Sequence, residues 1–442
     1  MSAGLAAVIL AAGEGTRMKS VKPKHLHPLL GRRLIDWVID AASGLDPQPL
    51  VVVTTPQSAG AYREVDVVVQ PEPLGTGDAL RVARGALGDT RQVLVVSGDH
   101  PLLTRQILRS LVDEHTSSGA GATVLSFEPP DPRAYGRIVR DGQGALRAIV
   151  EARDATKDEL AIREVNASLY VFETAHLWPA VERLEPKNVQ GELYLTDAVR
   201  FLVEDGERVG VFKAPDPTII EGVNTRAELA DAAAVLRARI NEQHMLAGVT
   251  IVDPGTTWIE REVALEPDAT IHPFTVLRGR TRIAGGAEVG PHVVAIDAEI
   301  GPNVLVGPFC YLRPGTVLEA GAKAGTFVEL KNTRVGERTK VPHLSYLGDA
   351  EVGSDTNIGA GAITANFPHQ PGRPKGETKI GRNVRTGIHN GFEAPVEIGD
   401  DAWIAGGSYI TQDVPAESLA GFPPRQETKE GYLRGRRNDD DD

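Results

Sequence analysis

The chain has 442 residues, about three times the length of a typical single domain, which excludes one small domain. Its 41% hydrophobic and 24% charged residues exclude a disordered chain and are typical of a globular protein. The net charge of −13 opposes nucleic-acid binding, and the single cysteine, Cys310, excludes an internal disulfide or a thiolate zinc cluster. We therefore expect a cytoplasmic protein. The most apolar early stretch, residues 5–13, is too short to span a membrane and follows no basic segment, so no membrane association is expected.

Up to about residue 224, short apolar runs alternate with helical patterns. The runs at 6–10, 49–55 and 92–98 are rich in valine and isoleucine and end in glycine or polar residues, as strands buried on both faces do. Residues 32–43 carry apolar side chains at helical spacing, which suits a crossover between parallel strands. The pattern predicts a doubly wound, Rossmann-like α/β domain over residues 1–224.

A different pattern begins after an alanine-, arginine- and glutamate-rich segment at 225–247, which is predicted to be a linker helix. Beyond it, aliphatic or small residues recur every six positions from Leu265 to Ile410, with single-residue skips and one insertion at 365–379. A period of six fits neither a helix nor a simple strand, whereas three such units make one triangular coil. We therefore predict a left-handed parallel β-helix of hexapeptide repeats over 248–425, followed by an acidic C-terminal tail at 426–442. The alternative, a β-sandwich, would show a period of two, and the insertion is predicted to protrude as a loop.

Three segments of the first half carry phosphate chemistry. The sequence LAAGEGTRM at 10–18 leaves a predicted strand and enters a glycine-bearing loop whose amides can approach phosphate oxygens, with Arg17 as a charged clamp. It is neither a Walker loop nor a dinucleotide fingerprint, and its spacing alone is equally compatible with a tight turn. Lys24, the segment 70–77 and Asp99 at a strand end favour the phosphate site, although Asp99 could also cap a sheet edge.

The chain resembles one enzyme family over almost its whole length. The motifs LAAGxGTRM, PKxLH, LGTG, GDxPLL, YGRI, QGExYLTD and EGVN resemble those of sugar-1-phosphate nucleotidyltransferases. The motifs YLRPG, FVELKN, HLSYLGD and NIGAGAITANF, between 311 and 367, resemble acetyltransferase motifs. Together they are similar to the bifunctional family that combines N-acetylglucosamine-1-phosphate uridylyltransferase with glucosamine-1-phosphate N-acetyltransferase.

This resemblance implies an activity. Such an enzyme acetylates glucosamine-1-phosphate with acetyl-CoA and then transfers UMP from UTP to N-acetylglucosamine-1-phosphate, releasing pyrophosphate. The product, UDP-N-acetylglucosamine, serves peptidoglycan, cell-wall and lipopolysaccharide precursors. The resemblance also implies Mg²⁺ dependence and a homotrimer. The alternatives are a sugar-1-phosphate nucleotidyltransferase with a structural or altered-donor β-helix, and a non-catalytic nucleotide-sugar sensor. The sensor hypothesis predicts that the cationic catalytic residues are missing, yet Arg17 and Lys24 are present.

The resemblance also implies roles for residues of the first half. Arg17 would hold the departing pyrophosphate, Lys24 would contact the phosphates, and Asp99 with Asn224 would bind magnesium. The Gln70 amide would supply both a donor and an acceptor to the uracil edge. The other implied nucleotide or sugar contacts are Leu10, Ala11, Ala12, Gly13, Gly75, Thr76, Ser97, Gly98, Gly136, Glu151 and Asn166.

Acylation of an amine needs a base, a place for the sugar phosphate and a donor for the oxyanion. By resemblance, His343 would be the general base, while Arg313 and Lys331 would hold the phosphate. A histidine in a β-helix turn, without the motif around it, is typically a solvated surface group. The other implied acetyltransferase contacts are Tyr346, Asn357, Ala360, Asn366, Phe367 and Gly406.

Several positions depart from the family's usual residues. On the sugar side, Ser97 replaces a common tyrosine and Ser168 a usual glycine. On the donor side, Phe367, Ile388 and Pro423 replace a usual tyrosine, serine and arginine. We therefore expect altered or weaker binding of acetyl-CoA. Arg425 could substitute for the arginine that Pro423 replaces. The loop residues Arg373, Lys375 and Lys379 could meet a coenzyme phosphate, although a charged loop of this kind is typically solvated.

Overall fold

The computed structural model describes residues 4–13, 15–132, 134–368, 372, 374–421 and 426–432. The chain divides into two compact units, Met1–Leu236 and Arg237–Asp442. Within the described ranges, none of the helices combines the length and hydrophobicity that crossing a membrane requires. The positions discussed above that lie outside the described residues are Arg373, Pro423, Arg425 and residues 433–442 of the acidic tail.

The first unit is built from eleven strands and seven helices among the described residues, the last helix crossing into the second unit. The strands are β1 (Leu5–Ala11), β2 (Pro28–Leu29), β3 (Arg32–Arg33), β4 (Leu50–Thr54), β5 (Asp66–Val69), β6 (Gln92–Ser97), β7 (Ala122–Phe127), β8 (Arg137–Arg140), β9 (Leu146–Val150), β10 (Val165–Glu173) and β11 (Val209–Lys213). The helices are α1 (Leu34–Ser43), α2 (Thr76–Leu87), α3 (Arg105–Ser118), α4 (Lys157–Leu160), α5 (Thr174–Glu182), α6 (Leu195–Glu204) and α7 (Arg226–Leu246).

The central sheet has the order β11-β7-β10-β6-β1-β4-β5, and β1 pairs in parallel with β4 and β6. The three strands predicted from apolar runs are therefore confirmed as parallel neighbours, and the predicted crossover helix is α1. The sheet is not wholly parallel, because β10 runs antiparallel to β6 and β7. After β7 the chain passes through the β8–β9 hairpin instead of a crossover helix, so it re-enters the sheet in the opposite direction.

Side chains on both faces of this sheet are buried. Ile9 packs in one cluster with Ile35 and Val38, whereas Val8 packs in the other with Leu80. Burial on both faces explains why these strands read as continuous apolar runs. The pairing of β1 with β4 and β6 also brings the carboxyl ends of all three strands to one edge, where ligands of open α/β sheets bind.

The second unit is a parallel sheet curled into three faces, in which each short strand pairs with the strand one coil further along. Each pairing advances the chain by about one coil, as in Ile271 to Val289 and Val289 to Val306. The first face contains Thr250–Ile251, Thr270–Ile271, Glu288–Val289, Leu305–Val306, Lys323–Thr326, Lys340–His343, Arg385–Thr386, Trp403–Ile404 and Leu419–Ala420. The second contains Trp258–Ile259, Val276–Arg278, Val294–Ile296, Tyr311–Leu312, Ile363–Ala365, Gly391–Glu393 and Tyr409–Ile410. The third contains Ala264–Leu265, Arg282–Ile283, Glu299–Ile300, Val317–Leu318, Thr378–Ile380 and Val396–Ile398. The strands Glu329–Val335 and Tyr346–Val352 run across the second and third faces.

The side chains at the predicted six-residue period point into this coil. From Ile271 to Ile410 every one of them is buried, and Leu265 at the first position is half-buried. One aliphatic side chain per strand is therefore enough to fill the shared core, because neighbouring coils supply the rest of its contacts. The long helix predicted before this unit is α7, whose buried Asn241 donates to the carbonyls of Pro254 and Thr257 within the second unit.

Candidate functional site

In the first unit the loop after β1 packs tightly against Lys24. Gly15 has a positive φ of 61°, and a Cβ at this position would lie 2.6 Å from the Cβ of Lys24. A side chain at residue 15 would therefore push the loop away from Lys24. Glycine is needed both for the positive φ and for the close contact between the loop and Lys24. The two short 3₁₀ turns that follow, Thr16–Met18 and Lys24–Leu26, carry Arg17 and Lys24 to the same edge of the sheet.

Five polar side chains from three parts of the sequence meet at this edge. The Lys24 ammonium lies 2.5 Å from Asp99 Oδ2 and 3.0 Å from Asn224 Oδ1. Arg17 donates to the same Asn224 oxygen at 2.8 Å. Ser97 donates to the other Asp99 oxygen at 2.7 Å. The site therefore concentrates two cations and two ligand oxygens at the end of β6.

The position of Asn224 depends on backbone contacts. The Val223 amide donates to the Asp99 carbonyl at 2.8 Å, and the Gly222 amide donates to the Tyr135 hydroxyl at 3.2 Å. Burial raises the pKa of that hydroxyl to about 12, so Tyr135 stays protonated. These contacts hold the 222–224 segment against the sheet edge, although it follows Asp99 by more than 120 residues.

The environment of Asp99 favours its ionised form. Burial alone disfavours the carboxylate, but the charge of Lys24, the neighbouring His100 and the hydrogen bond from Ser97 hold the pKa of Asp99 well below its usual range. Burial lowers the pKa of His100, whose Nδ1 lies 2.6 Å from the Ile220 carbonyl. An ionised, partly buried carboxylate beside an amide oxygen is a donor pair of the kind that Mg²⁺ prefers.

The donor set permits only part of a metal coordination sphere. Asp99 and Asn224 direct oxygens at one ammonium, so the two oxygens converge on a single position for a cation. Over the residues that the structure describes, no group of three or more His, Cys, Asp or Glu side chains could hold a metal. A magnesium ion held by Asp99 and Asn224 would complete its shell with water and substrate oxygens, which suits this ion.

The residues predicted to contact a base lie beside this cluster. Gln70 Nε2 donates to the Gly75 carbonyl at 3.1 Å and to Asp78 at 2.8 Å. Gly75 has a φ of +107°, and a Cβ there would come within 2.6 Å of the Leu193 carbonyl oxygen. Thr76 accepts from the Leu195 amide at 3.1 Å. The start of α2 is therefore fixed against the 193–195 segment.

A cavity of about 560 Å³ joins the two groups. It contains thirteen of the sequence-predicted residues: Leu10, Ala11, Ala12, Gly13, Arg17, Lys24, Gln70, Gly75, Thr76, Ser97, Gly98, Asp99 and Asn224. Sequence reasoning assigned no role to other lining residues, which include Gly15, Thr16, His25, Arg153, Gln190 and Glu192. The QGE of the QGExYLTD motif was a signal for the last two. Burial, with the charges of Lys24 and Arg33, lowers the pKa of His25 to about 4, so this residue is neutral.

The three residues predicted to contact the sugar form a cluster of their own and are not part of the cavity lining. The backbone N–H of Asn166 donates to the Gly136 carbonyl at 2.8 Å, and a Cβ on Gly136 would lie 3.5 Å from the Glu151 carboxylate. Burial raises the pKa of Glu151, which accepts from Thr196 at 3.3 Å. Ser168 adopts a positive φ of 58°, which accounts for a glycine preference at this position.

In the second unit, three sequence-predicted residues share one corner of the coil. The carbonyl of His343 accepts from Gly361, that of Ala360 from His389, and that of Ile388 from Gly407. His343, Ala360, Ile388 and Gly406 therefore occupy equivalent positions on successive coils. The side chains of His343 and Ile388 are exposed. The stacking brings the predicted base beside the predicted donor contacts although up to 63 residues separate them.

The cationic residues lie on the adjoining second face. Arg313 pairs with Glu329 at 2.9 Å, and Glu329 is in register with Tyr346. The Lys331 ammonium lies beside Lys375, which lowers the pKa of Lys331. Two basic groups this close favour an anion between them.

The remaining predicted contacts are distributed over other positions. Asn366 donates to Asp349 at 2.5 Å on the same face as Lys331. The backbone of Asn357 pairs in parallel with those of Lys340 and Arg385 on the first face. The side chain of Phe367 is 75% exposed. Lys379 lies on the third face, 3.5 Å from Glu397, and is separate from the group around Lys331.

Comparison with known proteins identifies the family. Residues 7–192 match the model described as the MobA-like NTP transferase domain. Bifunctional protein GlmU of Streptomyces coelicolor is 46% identical over 98% of this chain and 94% of its own length. This chain belongs to the GlmU family. Bifunctional protein GlmU of Bifidobacterium animalis subsp. lactis is 46% identical over 94% of this chain and 95% of its own length. That of Thermoanaerobacter pseudethanolicus is 41% identical over 98% of each chain. The likeness therefore extends across both units. The family resemblance found in the motifs is thereby confirmed.

Proposed function

We propose that this protein is a bifunctional enzyme of UDP-N-acetylglucosamine synthesis. The second unit acetylates glucosamine-1-phosphate with acetyl-CoA, and the first transfers UMP from UTP to N-acetylglucosamine-1-phosphate and releases pyrophosphate. The observation that carries the proposal is the meeting of Arg17, Lys24, Asp99 and Asn224 in one cavity at the sheet edge. Full-length likeness to bifunctional GlmU proteins supports both activities and does not favour a nucleotidyltransferase alone.

Uridylyl transfer requires charge neutralisation and alignment more than proton transfer. The attacking sugar phosphate is already an anion, so its oxygen attacks the α-phosphorus of UTP without a general base, and the bond to pyrophosphate breaks. Arg17 and Lys24 neutralise the triphosphate, and the Gly15 turn keeps both cations close to the sheet edge. Asp99 and Asn224 would hold Mg²⁺, which would supply a hard cation to neutralise phosphate charge. Glu151 and Asn166 hold the sugar.

Acetyl transfer requires removal of a proton from the sugar amine. His343, exposed at the corner of the coil, accepts this proton as the amine nitrogen attacks the thioester carbon and the coenzyme thiolate departs. Arg313, Lys331 and Lys375 provide positive charge for the sugar phosphate on the adjoining face. Ile388 exposes an apolar side chain at the corner that it shares with His343 and Ala360, which supports the expected change in acetyl-CoA binding.

We further infer the architecture and setting of the enzyme. The curled parallel sheet is a left-handed β-helix of hexapeptide repeats over 248–425, joined by the 225–247 helix to a nucleotidyltransferase domain over 1–224, with a tail at 426–442. The full chain acts as a cytoplasmic homotrimer. An exposed stack of aromatic rings along one corner, spaced 4.8–5.2 Å apart, offers apolar surface for this association: Phe274, His292, Phe309 and Phe327.

A coupled assay tests both activities in one sample. Purified protein receives glucosamine-1-phosphate, acetyl-CoA, UTP and Mg²⁺, and free coenzyme A and pyrophosphate are both followed. We expect His343→Ala to abolish acetylation and to retain pyrophosphate release when N-acetylglucosamine-1-phosphate is supplied. Asp99→Ala should show the reverse, and His272→Ala, a histidine elsewhere on the coil, should retain both. Wild-type protein that releases neither product would refute the proposal.

A further inference from the structure

A buried carboxylate that has no role in the mechanism above lies beside the nucleotide cavity. Asp78, in the first turn of α2, is 3% exposed. Its Oδ2 accepts from Gln70 Nε2 at 2.8 Å, and its Oδ1 accepts from Arg81. Gln70 is equally buried and is part of the cavity lining together with Gly75 and Thr76. Asp78 thus contacts a cavity residue without lining the cavity itself.

The neighbours of Gln70 allow only one orientation of its amide. Its nitrogen faces the Asp78 carboxylate and the Gly75 carbonyl, at 2.8 and 3.1 Å, and both groups can only accept hydrogen bonds. The opposite orientation would place the amide oxygen against two oxygens and leave buried polar groups unpaired, which is costly. Both N–H groups of Gln70 are therefore used within the protein. The group left for a ligand is the oxygen Oε1, an acceptor, and not the donor-acceptor pair expected from the sequence.

We propose that Asp78 is a positioning residue that sets the base preference of the first unit. By holding the nitrogen of Gln70, it makes the cavity present an acceptor to the edge of the base. A pyrimidine with an N3–H donor, such as uracil, satisfies this acceptor, whereas N3 of cytosine is itself an acceptor and is repelled. The inference rests on the proposed uridylyl transfer and adds the physical origin of its preference for UTP over CTP.

The negative charge of Asp78 is essential to this argument. An asparagine at position 78 has the same shape but could turn its own NH₂ group toward Gln70. The Gln70 amide could then reverse, giving up its longer hydrogen bond to the Gly75 carbonyl, and offer the cavity a donor, which is the group that N3 of cytosine needs. Arg81 donates to the far oxygen of Asp78, whereas the hydrogen bonds of the Gln70 nitrogen go to Gly75 and Asp78, so we expect removal of Arg81 to leave the orientation of the amide unchanged.

The experiment compares two variants with wild type in the full-length protein. The kcat/KM for UTP and for CTP is measured by pyrophosphate release with N-acetylglucosamine-1-phosphate as acceptor. We expect Asp78→Asn to reduce the UTP-to-CTP ratio about tenfold or more, as the loss of one oriented hydrogen bond in a closed site would. Arg81→Gln is the matched control and should leave the ratio within twofold of wild type. Asp78→Glu, which keeps the carboxylate, should recover most of the preference.

Two outcomes would overturn the proposal. One is a ratio for Asp78→Asn within twofold of wild type in a protein that still acetylates glucosamine-1-phosphate. The other is an equal fall in the ratio for Arg81→Gln, which would indicate a general disturbance of α2. Calorimetric binding of UTP and CTP to the same proteins requires no turnover and serves for any variant that is inactive. Failure of the proposed function would give a different result, namely no pyrophosphate release by wild type with either triphosphate. In that case, equal binding of UTP and CTP to wild type would overturn this inference as well.

Discussion

Replacement of Lys24 by methionine is the most direct test of the charged cluster. The change keeps the apolar stem but removes the ammonium that contacts Asp99 and Asn224. The two side chains of the ion pair are only 14% and 17% exposed, so Asp99 would keep its charge in a largely dry environment. Breaking a fully buried pair costs about 3–5 kcal/mol. Because Asp99 retains the Ser97 hydrogen bond and some solvent contact, we expect a loss of about 2–3 kcal/mol.

The loss should depend on pH in a defined direction. Lys24 helps to lower the pKa of Asp99 in the folded protein, so the stabilisation exists above the unfolded pKa of about 4 and disappears as the pH falls below it. Without Lys24, burial dominates and the pKa of Asp99 rises. The difference between wild type and variant should therefore be largest near neutral pH and should shrink as the pH falls through the raised pKa of Asp99 in the variant.

Differential scanning calorimetry measures this effect. In wild type, we expect UTP to shift the transition of the first unit upward, which identifies that transition and leaves the one of the second unit as an internal reference. For a unit of this size, the expected loss lowers the first Tm by roughly 5–10 °C at pH 7. Lys22→Met, at an exposed neighbouring position, is the matched control, and adding Asp99→Asn to Lys24→Met should restore part of the Tm. A Tm within 1 °C of wild type, or a difference that does not shrink in acid, would refute the reasoning.

Two further predictions concern the sugar and the donor. Burial raises the pKa of Glu151, so its ionised form opposes folding as the pH rises. Glu151→Gln should therefore raise the Tm of the first unit more at pH 8 than at pH 5. The same variant should increase the KM for N-acetylglucosamine-1-phosphate about tenfold. An equal change of Tm at both pH values would contradict this. Ile388→Ser restores a hydroxyl at the His343 corner and should lower the KM for acetyl-CoA about fivefold, with Ile363→Ser on the second face as the control. An unchanged KM would show that Ile388 does not limit donor binding.

Much of the architecture could be predicted because each feature has a local cause. The strands β1, β4 and β6 were predicted from continuous apolar runs, since strands covered on both faces need no polar alternation. The coil of the second unit was predicted from its six-residue period, and the side chains at that period are buried. The antiparallel β10 was not predicted, because its direction depends on the β8–β9 excursion and not on its own composition.

The candidate sites were predicted less evenly. Motif positions such as Lys24, Asp99 and Asn224 could be named because the family resemblance covers them, and the structure places the Lys24 ammonium within 3.0 Å of both Asp99 and Asn224. Asp78 could not be named, since a carboxylate at the start of a helix is typically a favourable helix charge. Only the position of Gln70 against it shows that the carboxylate orients an amide.

The sequence by itself determined the order of the two units, the six-residue period and the chemical types of the site residues, because these depend on composition and spacing along the chain. The tertiary structure decided which of those residues meet. Asn224 reaches Lys24 across 200 positions, and His343, Ala360 and Gly406 share one corner only because successive coils stack. It also decided which hydrogen-bonding group Gln70 offers to a ligand. Such properties depend on distances between chain segments, and the sequence alone does not specify those distances.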